Sequence, residues 1–534
     1  MGSHRLGSGP AATHRVVVIG AGIGGLVSSL LLAARGLDVT LVEAGDAPGG
    51  KMRAVEVDGA SIDAGPTVFT MRWVFDEILA EVGSSLRELV SLTPLSVLGR
   101  HAWRGHAHRL DLHADMKRSA DAIARFASPA EARRFVAFCD QAKAIYRRLE
   151  GPHIRSSRPS LMQMAADLGP GGVKALAGLG PFATLWQTLG RHFHDPRLRQ
   201  LFARYATYCG ASPWAAPATL MLVAHVEMDG VWSIDGGMAR LAQRLAGLAA
   251  SRGVKLRYGA AAQRIATTSG SVSGVVLRSG ERLCADSVVF NGDSNALAMG
   301  LLGDDVRGIA RAPLANTERS LSAVTWAIHA RSRGFPLTRH NVFFDDDYAS
   351  EFDDVFKQRR LPRQGTVYVC AQDRLDDDDA PPNGRERLLA LVNAPADGDK
   401  NTFDATEIEP CEHRSLALLQ QCGLQLELTR RTQVLRRTPA DFNRLYPGSA
   451  GALYGPATHG WMALFKRPGA ATALPGLYLA GGSAHPGPGV PMAAMSGRLA
   501  AATLLAHLDS ISLSRRVRIA GGTSMRSAAT AAMP

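Results

Sequence analysis

The pattern of hydrophobic positions opens with two short strand-like runs separated by a helical stretch. Arg15 to Ile19 (RVVVI) is typical of a buried parallel strand, rich in β-branched residues. A helical pattern follows over about 24–34, and a second strand pattern covers Asp38 to Glu43. This order predicts a β-α-β unit at the start of the chain.

Beyond this unit the predicted elements change along the chain. Between about 72 and 226, apolar residues recur every three or four positions, which predicts mostly helices. Strand patterns return within 253–291 and again at 387–395. A last strand, 476–480, precedes a last helix over about 492–507.

Glycines at the first strand–helix junction match a dinucleotide-binding fingerprint. Gly20, Gly22 and Gly25 have G-x-G-x-x-G spacing, and Gly24 lies beside the third of them. Between a strand and a helix, this spacing permits a tight turn and lets the backbone and the helix N–H groups approach a pyrophosphate. Glu43 follows Gly25 by 18 residues and ends the second strand, where it can accept hydrogen bonds from a ribose hydroxyl.

A second pair of glycines, Gly49-Gly50, and the turn at 63–67 follow the second strand. They let the chain pass close to a larger dinucleotide, which favours FAD over NAD. Basic residues after the glycine pair are placed to bind its phosphates, although an exposed basic turn is the alternative interpretation. The cofactor-binding candidates of this region are Gly50, Lys51, Arg53, Pro66 and Thr67.

A third glycine-rich turn joins the last strand to the last helix. Two glycines end the strand, and the loop 483–491 leads into a helix that begins near Met492. The positive N-terminus of that helix would stabilise negative charge near N1 of a flavin ring. We therefore predict that the ring rests against this turn. The candidates are Gly481, Gly482, Val490, Pro491 and Met492.

His485 in this loop is a candidate for proton transfer. A histidine between glycines and prolines is also typical of a packing or hydrogen-bonding residue, so both interpretations stay open. No other catalytic dyad stands out.

Composition and charge restrict the partners. The formal net charge of +12 indicates an anionic partner, but no dense basic block with interleaved aromatic residues indicates nucleic acid. Six scattered cysteines lack metal-ligand spacing, so we expect reduced thiols and no metal site. The apolar runs are too short for a membrane span.

These motifs resemble the bacterial phytoene desaturase family of flavoproteins, the CrtI-type carotenoid desaturases. The fingerprint, the "GGM" at 236–238 and the C-terminal "LYLAGGSAHPGPGVP" are similar to that family's motifs. Stretches such as 199–220 and 453–470 resemble, within the family, the hydroxyneurosporene or methoxyneurosporene dehydrogenases, which are 1-hydroxycarotenoid 3,4-desaturases. The likeness covers nearly all of 15–508.

The resemblance implies an α/β fold with a Rossmann-like, glutathione-reductase-type FAD-binding domain. A discontinuous domain of mixed sheet and helices would bind substrate and dock on a membrane. It also implies that Ile265 meets the adenine through its backbone. The expected boundaries are 14–100, 225–300 and 466–508 for the FAD-binding domain, 101–224 and 301–465 for the second domain, and 1–13 and 509–534 for flexible tails.

The implied activity is FAD-dependent introduction of a C-3,4 double bond into an acyclic 1-hydroxy or 1-methoxy carotenoid. A flavin removes one hydrogen as hydride, and the second, next to a delocalised cation, needs only a weak base. A hydroxylated substrate also needs a polar partner, which the sequence does not identify. Electrons would pass to an external acceptor, oxygen or a quinone.

The substrate's insolubility implies a peripheral, monotopic protein on the cytoplasmic side of the inner membrane. The segment 173–193 is a candidate docking helix, with an ordinary core helix as the alternative. Phytoene desaturase, another oxidoreductase of the flavin amine oxidase superfamily, and a non-enzymatic prenyl-lipid escort stay open as functions. Gly482 and Ser483 replace the acidic residue usual in amine oxidases, which disfavours an amine substrate.

Overall fold

The computed structural model describes residues 13–157, 183–308, 318–375, 384–429 and 433–520, with the isolated positions 169 and 171. The strands of this part of the chain are β1 Arg15–Ile19, β2 Asp38–Val42, β3 Ala54–Val57, β4 Ala60–Asp63, β5 Leu92–Pro94, β6 Val97–Trp103, β7 Leu110–His113, β8 Trp232–Ile234, β9 Lys255–Arg257, β10 Ala262–Thr268, β11 Ser271–Leu277, β12 Arg282–Cys284, β13 Ser287–Phe290, β14 Ser322–Ala330, β15 Ser332–Gly334, β16 His340–Phe344, β17 Val367–Ala371, β18 Glu386–Ala394, β19 Leu424–Leu426, β20 Val434–Arg437 and β21 Leu477–Leu479.

The α-helices of the same ranges are α1 Ile23–Ala34, α2 Trp73–Ala80, α3 Leu86–Leu89, α4 Met116–Phe126, α5 Pro129–Leu149, α6 Leu185–His192, α7 Pro196–Ala203, α8 Leu222–Met228, α9 Gly237–Ser251, α10 Ser294–Ala298, α11 Tyr348–Phe352, α12 Ala405–Gln421, α13 Pro439–Leu445, α14 Ala463–Lys466 and α15 Val490–Ala520.

Five parallel strands form the sheet that carries the glycine-rich turns, in the order β21-β13-β1-β2-β9. The predicted β-α-β unit is confirmed as β1, α1 and β2. Its valines are fully buried, because helices cover one face and the antiparallel sheet β10-β11-β12 contributes to the core on the other. This is the expected Rossmann-like arrangement.

Seven strands form a second, mixed sheet in the order β20-β14-β18-β17-β16-β6-β7. Only the β6–β16 pair within it is parallel. Helices such as α5 and α7 pack on one face through Phe135 and Phe202, and α12 packs on the other through Ile408 and Leu418. The expected combination of mixed sheet and helices is therefore present, while the domain boundaries stay a prediction.

Strands β5, β6 and β7 lie within 72–226, where the sequence predicted mostly helices. The prediction of helices is wrong for these three strands. In β6 every residue is buried, including Arg100 and His101, so its sequence shows no alternation of apolar and polar positions. Arg100 pairs with Asp111 at 2.8 Å, and the His101 ring lies 3.1 Å from the Leu110 carbonyl oxygen. Arg100 and His101 of β6 thus both find hydrogen-bond partners in β7.

The last helix, α15, begins at Val490 and runs to Ala520, past the predicted end at about 507. Residues 509–520 therefore continue a helix, whereas a flexible tail was expected from 509. The hydroxyls of Ser510 and Ser512 donate to carbonyls three residues earlier, so these serines fit within the helix. The expected tail segments 1–12 and 521–534 lie outside the described residues.

The candidate docking segment is described only from residue 183. There, α6 buries Leu185 and Leu189 completely, and Trp186 packs on Trp214 with ring centroids 4.5 Å apart. This part of the segment packs as a core helix. Across the described ranges, no helix is long and apolar enough to span a bilayer.

Helices α1 and α15 meet backbone to backbone. A Cβ added at Gly497 would lie 2.2 Å from the Gly24 carbonyl oxygen, and one added at Gly24 would lie 2.9 Å from the Ala493 carbonyl oxygen. Distances below 3 Å are not tolerated, so only glycine fits at both positions. The contact joins the first helix of the chain to the last.

We expect Gly497→Ala to separate these helices and to lower the free energy of unfolding by about 1–3 kcal/mol, as overpacking does. Gly247→Ala in α9 is the matched control, since no atom lies within 4 Å of the added Cβ. It should be neutral or stabilise by up to about 1 kcal/mol. Denaturant unfolding measures both variants, and equal stability of the two would contradict the importance of the contact.

Candidate active site

The fingerprint turn has the backbone geometry that close approach requires. Gly20 has φ +99°, and a Cβ at Gly25 would lie 2.0 Å from the Gly20 carbonyl oxygen. Gly22 begins α1 without a side-chain cap, and the first turn of the helix contains no acidic residue. The N–H groups of the first turn of α1 are thus available to an anion.

Glu43 lies at the carboxyl end of β2, beside this turn. Its carboxylate accepts hydrogen bonds from the backbone N–H groups of Ala21 at 2.7 Å and Gly45 at 2.8 Å, one on each oxygen. Each oxygen keeps a further lone pair for a ribose hydroxyl. The Glu43 side chain therefore stabilises the fingerprint turn and can still accept a hydrogen bond from a ribose hydroxyl.

The second glycine pair lies directly against the fingerprint. The N–H of Gly49 donates to the Ala21 carbonyl at 2.8 Å, and a Cβ at Gly50 would lie 3.2 Å from the Cα of Gly22. The turn at 63–67 packs on the following residues, since a Cβ at Gly65 would lie 1.8 Å from the Lys51 carbonyl oxygen. Three predicted cofactor segments thus meet at one place.

Lys51 and Arg53 are unmatched cations in the sense that neither forms a salt bridge with a described carboxylate, although Asp293 acts on Lys51 at longer range, in the direction that raises its pKa. Lys51 Nζ donates to the Leu453 carbonyl at 2.6 Å, Arg53 Nε donates to the Gly50 carbonyl at 2.9 Å, and both lie beside the Tyr446 ring. Neither forms an ion pair with any described carboxylate. Desolvation lowers the pKa of Lys51 to about 8. An anion would therefore find an unmatched positive charge here.

Pro66 and Thr67 are half-buried at the end of the same turn. The turn is held by Asp63, which accepts from the backbone N–H of Met238 at 2.6 Å at the start of α9. Thr67 Oγ1 lies 2.7 Å from the hydroxyl of Tyr368 on the seven-stranded sheet. Thr67 thus connects the glycine-rich turns to the second sheet.

Ile265 is fully buried in β10, and its N–H donates to the Leu302 carbonyl at 3.0 Å. The amide is therefore already used within the protein. If the backbone of Ile265 contacts an adenine, as the resemblance implies, the contact must use its carbonyl group.

The C-terminal turn lies next to the fingerprint. Gly481 and Gly482 follow β21, and Val490, Pro491 and Met492 form the first turn of α15, which lacks acidic residues. A Cβ at Gly481 would lie 2.7 Å from the Asn291 side-chain oxygen, and the Asn291 amide donates to the Gly20 carbonyl at 3.1 Å. One asparagine side chain therefore bridges the two turns.

Sequence reasoning missed Asn291 and Arg467. Asn291 follows the buried strand β13, and a polar residue after a parallel strand is a detectable signal. Arg467 donates to the carbonyls of Tyr454, Pro456 and Gly482, and burial lowers its pKa to about 10. No local pattern identifies it, because its partners come from distant turns.

His485 is buried, and the protein engages one of its two ring nitrogens, while Nδ1 has no hydrogen-bond partner among the described residues. Its Nε2 lies 2.9 Å from the carbonyls of both His153 and Ser156, so this nitrogen carries the hydrogen and donates. Burial lowers its pKa to about 4. The geometry favours the packing and hydrogen-bonding interpretation of this residue.

The residues present fit a flavin dinucleotide. Glycines that no side chain could replace, the uncapped N-terminus of α1, the first turn of α15 and two unmatched cations surround one cleft. A profile of the family described as "Flavin containing amine oxidoreductase" matches residues 23–505. The chain belongs to this family.

Among curated relatives, the chain is 64% identical over 98% of its length to a hydroxyneurosporene desaturase of Rubrivivax gelatinosus, and covers 99% of that protein. A hydroxyneurosporene desaturase of Cereibacter sphaeroides is 44% identical over 93% of this chain and 98% of its own. These relatives place the chain among the CrtI-type carotenoid desaturases, and its cofactor is FAD.

A solved structure of putrescine oxidase superposes with a TM-score of 0.58 over 93% of this chain and 100% of its own, at 17% identity. That likeness confirms the predicted fold class of an FAD-binding Rossmann-like domain joined to a mixed-sheet and helical domain.

We expect Lys51→Met to weaken FAD binding roughly tenfold or more, since a hydrogen bond to a charged group contributes about 1.5–3 kcal/mol. In the flavin-free protein Lys51 has a pKa of about 8. The affinity of the parent protein for FAD should therefore be constant below that pH. It should fall above pH 8, where binding requires uptake of a proton.

Titration of flavin-free protein with FAD between pH 6 and 10, followed by flavin fluorescence, measures both effects. Lys117→Met is the matched control, because Lys117 is exposed and paired with Asp121. A Lys51→Met affinity equal to that of the control at every pH would exclude a role for this cation.

Proposed function

We propose that this chain is an FAD-dependent desaturase that introduces the C-3,4 double bond into acyclic 1-hydroxy or 1-methoxy carotenoids, hydroxyneurosporene foremost. The 64% identity over 98% of the chain to a hydroxyneurosporene desaturase carries the proposal. The cleft of glycine turns and unmatched cations supports it independently, because it suits a flavin dinucleotide.

Bound FAD supplies a two-electron acceptor that takes a hydride from an allylic carbon. The chain's own contribution is positioning and electrostatic stabilisation. The N-terminus of α1 would hold the phosphates, and that of α15 would favour negative charge at the ring. Thr67, bonded to Tyr368, holds the cofactor turn against the sheet of the second domain.

Removal of the second hydrogen from the substrate does not require a strong base in the protein. The positive charge left on the substrate spreads along the conjugated chain, so the neighbouring C–H is acidic. A weak base or solvent suffices, which agrees with a buried His485 whose ring nitrogen already donates to two carbonyls. We therefore assign no catalytic base.

The substrate requires a membrane partner, because a carotenoid is almost insoluble in water. We propose a peripheral location on the cytoplasmic side of the inner membrane, supported by the formal charge of +12. The candidate docking segment 173–193 lies outside the described residues as far as residue 182. Oxygen and a membrane quinone remain the two candidate electron acceptors.

Expression in a host that accumulates hydroxyneurosporene tests the proposal. We expect the absorption spectrum of the extracted carotenoid to shift by one added conjugated double bond. Hosts that accumulate phytoene serve as the comparison, and conversion of phytoene alone would replace the proposal with a phytoene desaturase.

Absence of bound flavin, together with unchanged carotenoid in both hosts, would favour an escort protein. The matched control for the assay is the Gly247→Ala variant, since Gly247 lies exposed on α9 and away from the cleft.

A further inference from the structure

A small cavity lies between the seven-stranded sheet and the helices packed on it. Its walls include Val68, the residue after Thr67, so it adjoins the cofactor turn. The walls are unusually polar for the core of a protein that handles a hydrocarbon. The polar side chains that line this polar cavity are His101, Arg204, Tyr205, Tyr208, Glu227, His340 and Tyr368.

Arg204 is held in the cavity by aromatic rings and not by an acid. Its guanidinium carbon lies 5.4 Å from the centre of the Tyr208 ring and 5.3 Å from that of Tyr368. Its one hydrogen bond to a described residue is a long contact, 3.5 Å, with the Tyr208 hydroxyl. Since a guanidinium has five N–H donors, most of the donors of this cavity-lining side chain form no hydrogen bond with a described residue.

Glu227 has both oxygens engaged. The hydroxyl of Tyr205 donates to one at 2.7 Å, and that of Tyr208 donates to the other at 2.5 Å. Burial raises the pKa of Glu227, while the two tyrosine hydroxyls and then Arg204 act in the opposite direction. The carboxylate therefore orients the Tyr208 hydroxyl and balances the charge of Arg204.

His340 has an unused nitrogen. Its Nδ1 lies 2.7 Å from the Tyr368 hydroxyl, which in turn lies 2.7 Å from Thr67 Oγ1. Its Nε2 has no hydrogen-bond partner among the described residues, and with only 3% of His340 exposed it has little access to water. Burial first, then Arg339 and Arg204, lowers the pKa of His340 to about 3, so the ring is neutral.

A buried polar atom without a partner costs about 1–3 kcal/mol, so this arrangement is suited to a polar ligand group. Free N–H groups on Arg204 require an acceptor. If His340 donates from Nδ1 to Tyr368, its Nε2 requires a donor. A hydroxyl group satisfies both at once, because it accepts and donates.

We propose that the polar cavity binds the C-1 hydroxyl group of the substrate, with Arg204 donating to its oxygen and His340 Nε2 accepting its hydrogen. This inference rests on the proposed function. The carbon that bears the hydroxyl is two bonds from C-3, so its binding site must adjoin the site of hydride removal. The hydrogen bond between Tyr368 and Thr67 places the cavity beside the cofactor turn, as the proposal requires.

The proposal makes these residues determinants of specificity and not catalytic groups. Holding the hydroxyl fixes which bond of a repetitive hydrocarbon lies at the reacting position. A site built to bond a hydroxyl disfavours the analogue that lacks it, because the buried polar groups are left unpaired. A methyl ether accepts from Arg204 but cannot donate to His340.

The test measures competition between hydroxyneurosporene and neurosporene, and separately turnover of the 1-methoxy analogue, by purified FAD-loaded protein. We expect His340→Phe and Tyr208→Phe to reduce the preference for the hydroxylated substrate at least about tenfold, with flavin content unchanged. His340→Phe should leave turnover of the methoxy analogue nearly unchanged. Tyr478→Phe is the matched control, since its hydroxyl contacts His507 outside the cavity, at 2.9 Å.

If the parent protein is active on hydroxyneurosporene and both cavity variants keep its preference for the hydroxylated substrate, the cavity does not bind the hydroxyl group. The proposed function would then stay intact. Equal turnover of hydroxyneurosporene and neurosporene by the parent protein also overturns the binding role of the cavity. A parent protein inactive on hydroxyneurosporene refutes both proposals together. Should His340→Phe fail to retain flavin, Tyr208→Phe, which keeps the ring, decides alone.

Discussion

The whole structure depends on a backbone contact between the first and last helices. Gly24 and Gly497 bring α1 and α15 together so closely that no side chain fits between them. The Asn291 side chain, beside that contact, bonds one glycine turn and touches the other. Two helix N-termini thereby lie at one cleft, where one would act on the phosphates and the other on the ring of the same bound cofactor. Either helix alone would act on only one of these two parts.

Much of the cofactor cleft followed from the sequence because its determinants are local. Glycines after a strand and before a helix specify a turn, and the residues Gly20 to Gly25 and Gly481 to Gly482 lie where that logic predicts. The strand β6 did not follow, since its Arg100 is neutralised by a residue of the next strand. Arg467 likewise depends on three carbonyls from separate turns, a relation that no local pattern carries.

The polar cavity illustrates the same limit for specificity. Arg204, Glu227 and His340 are far apart in sequence, and each taken alone is an ordinary surface or core residue. They line one cavity only because the mixed sheet and its helices bring them together beside Thr67. A family resemblance indicates that a hydroxylated substrate needs a polar partner, but only the fold identifies which side chains surround one buried space.

The edge strand β21 has a consequence for biosynthesis. It completes the parallel sheet beside β13, and the turn after it forms one wall of the cleft, although β1 is made more than four hundred residues earlier. A growing chain folds from its N-terminus as it leaves the ribosome. Such a chain holds its fingerprint turn ready but lacks the opposite wall until translation ends. The cleft for the prosthetic group is therefore complete only after the last helix of the chain has been made.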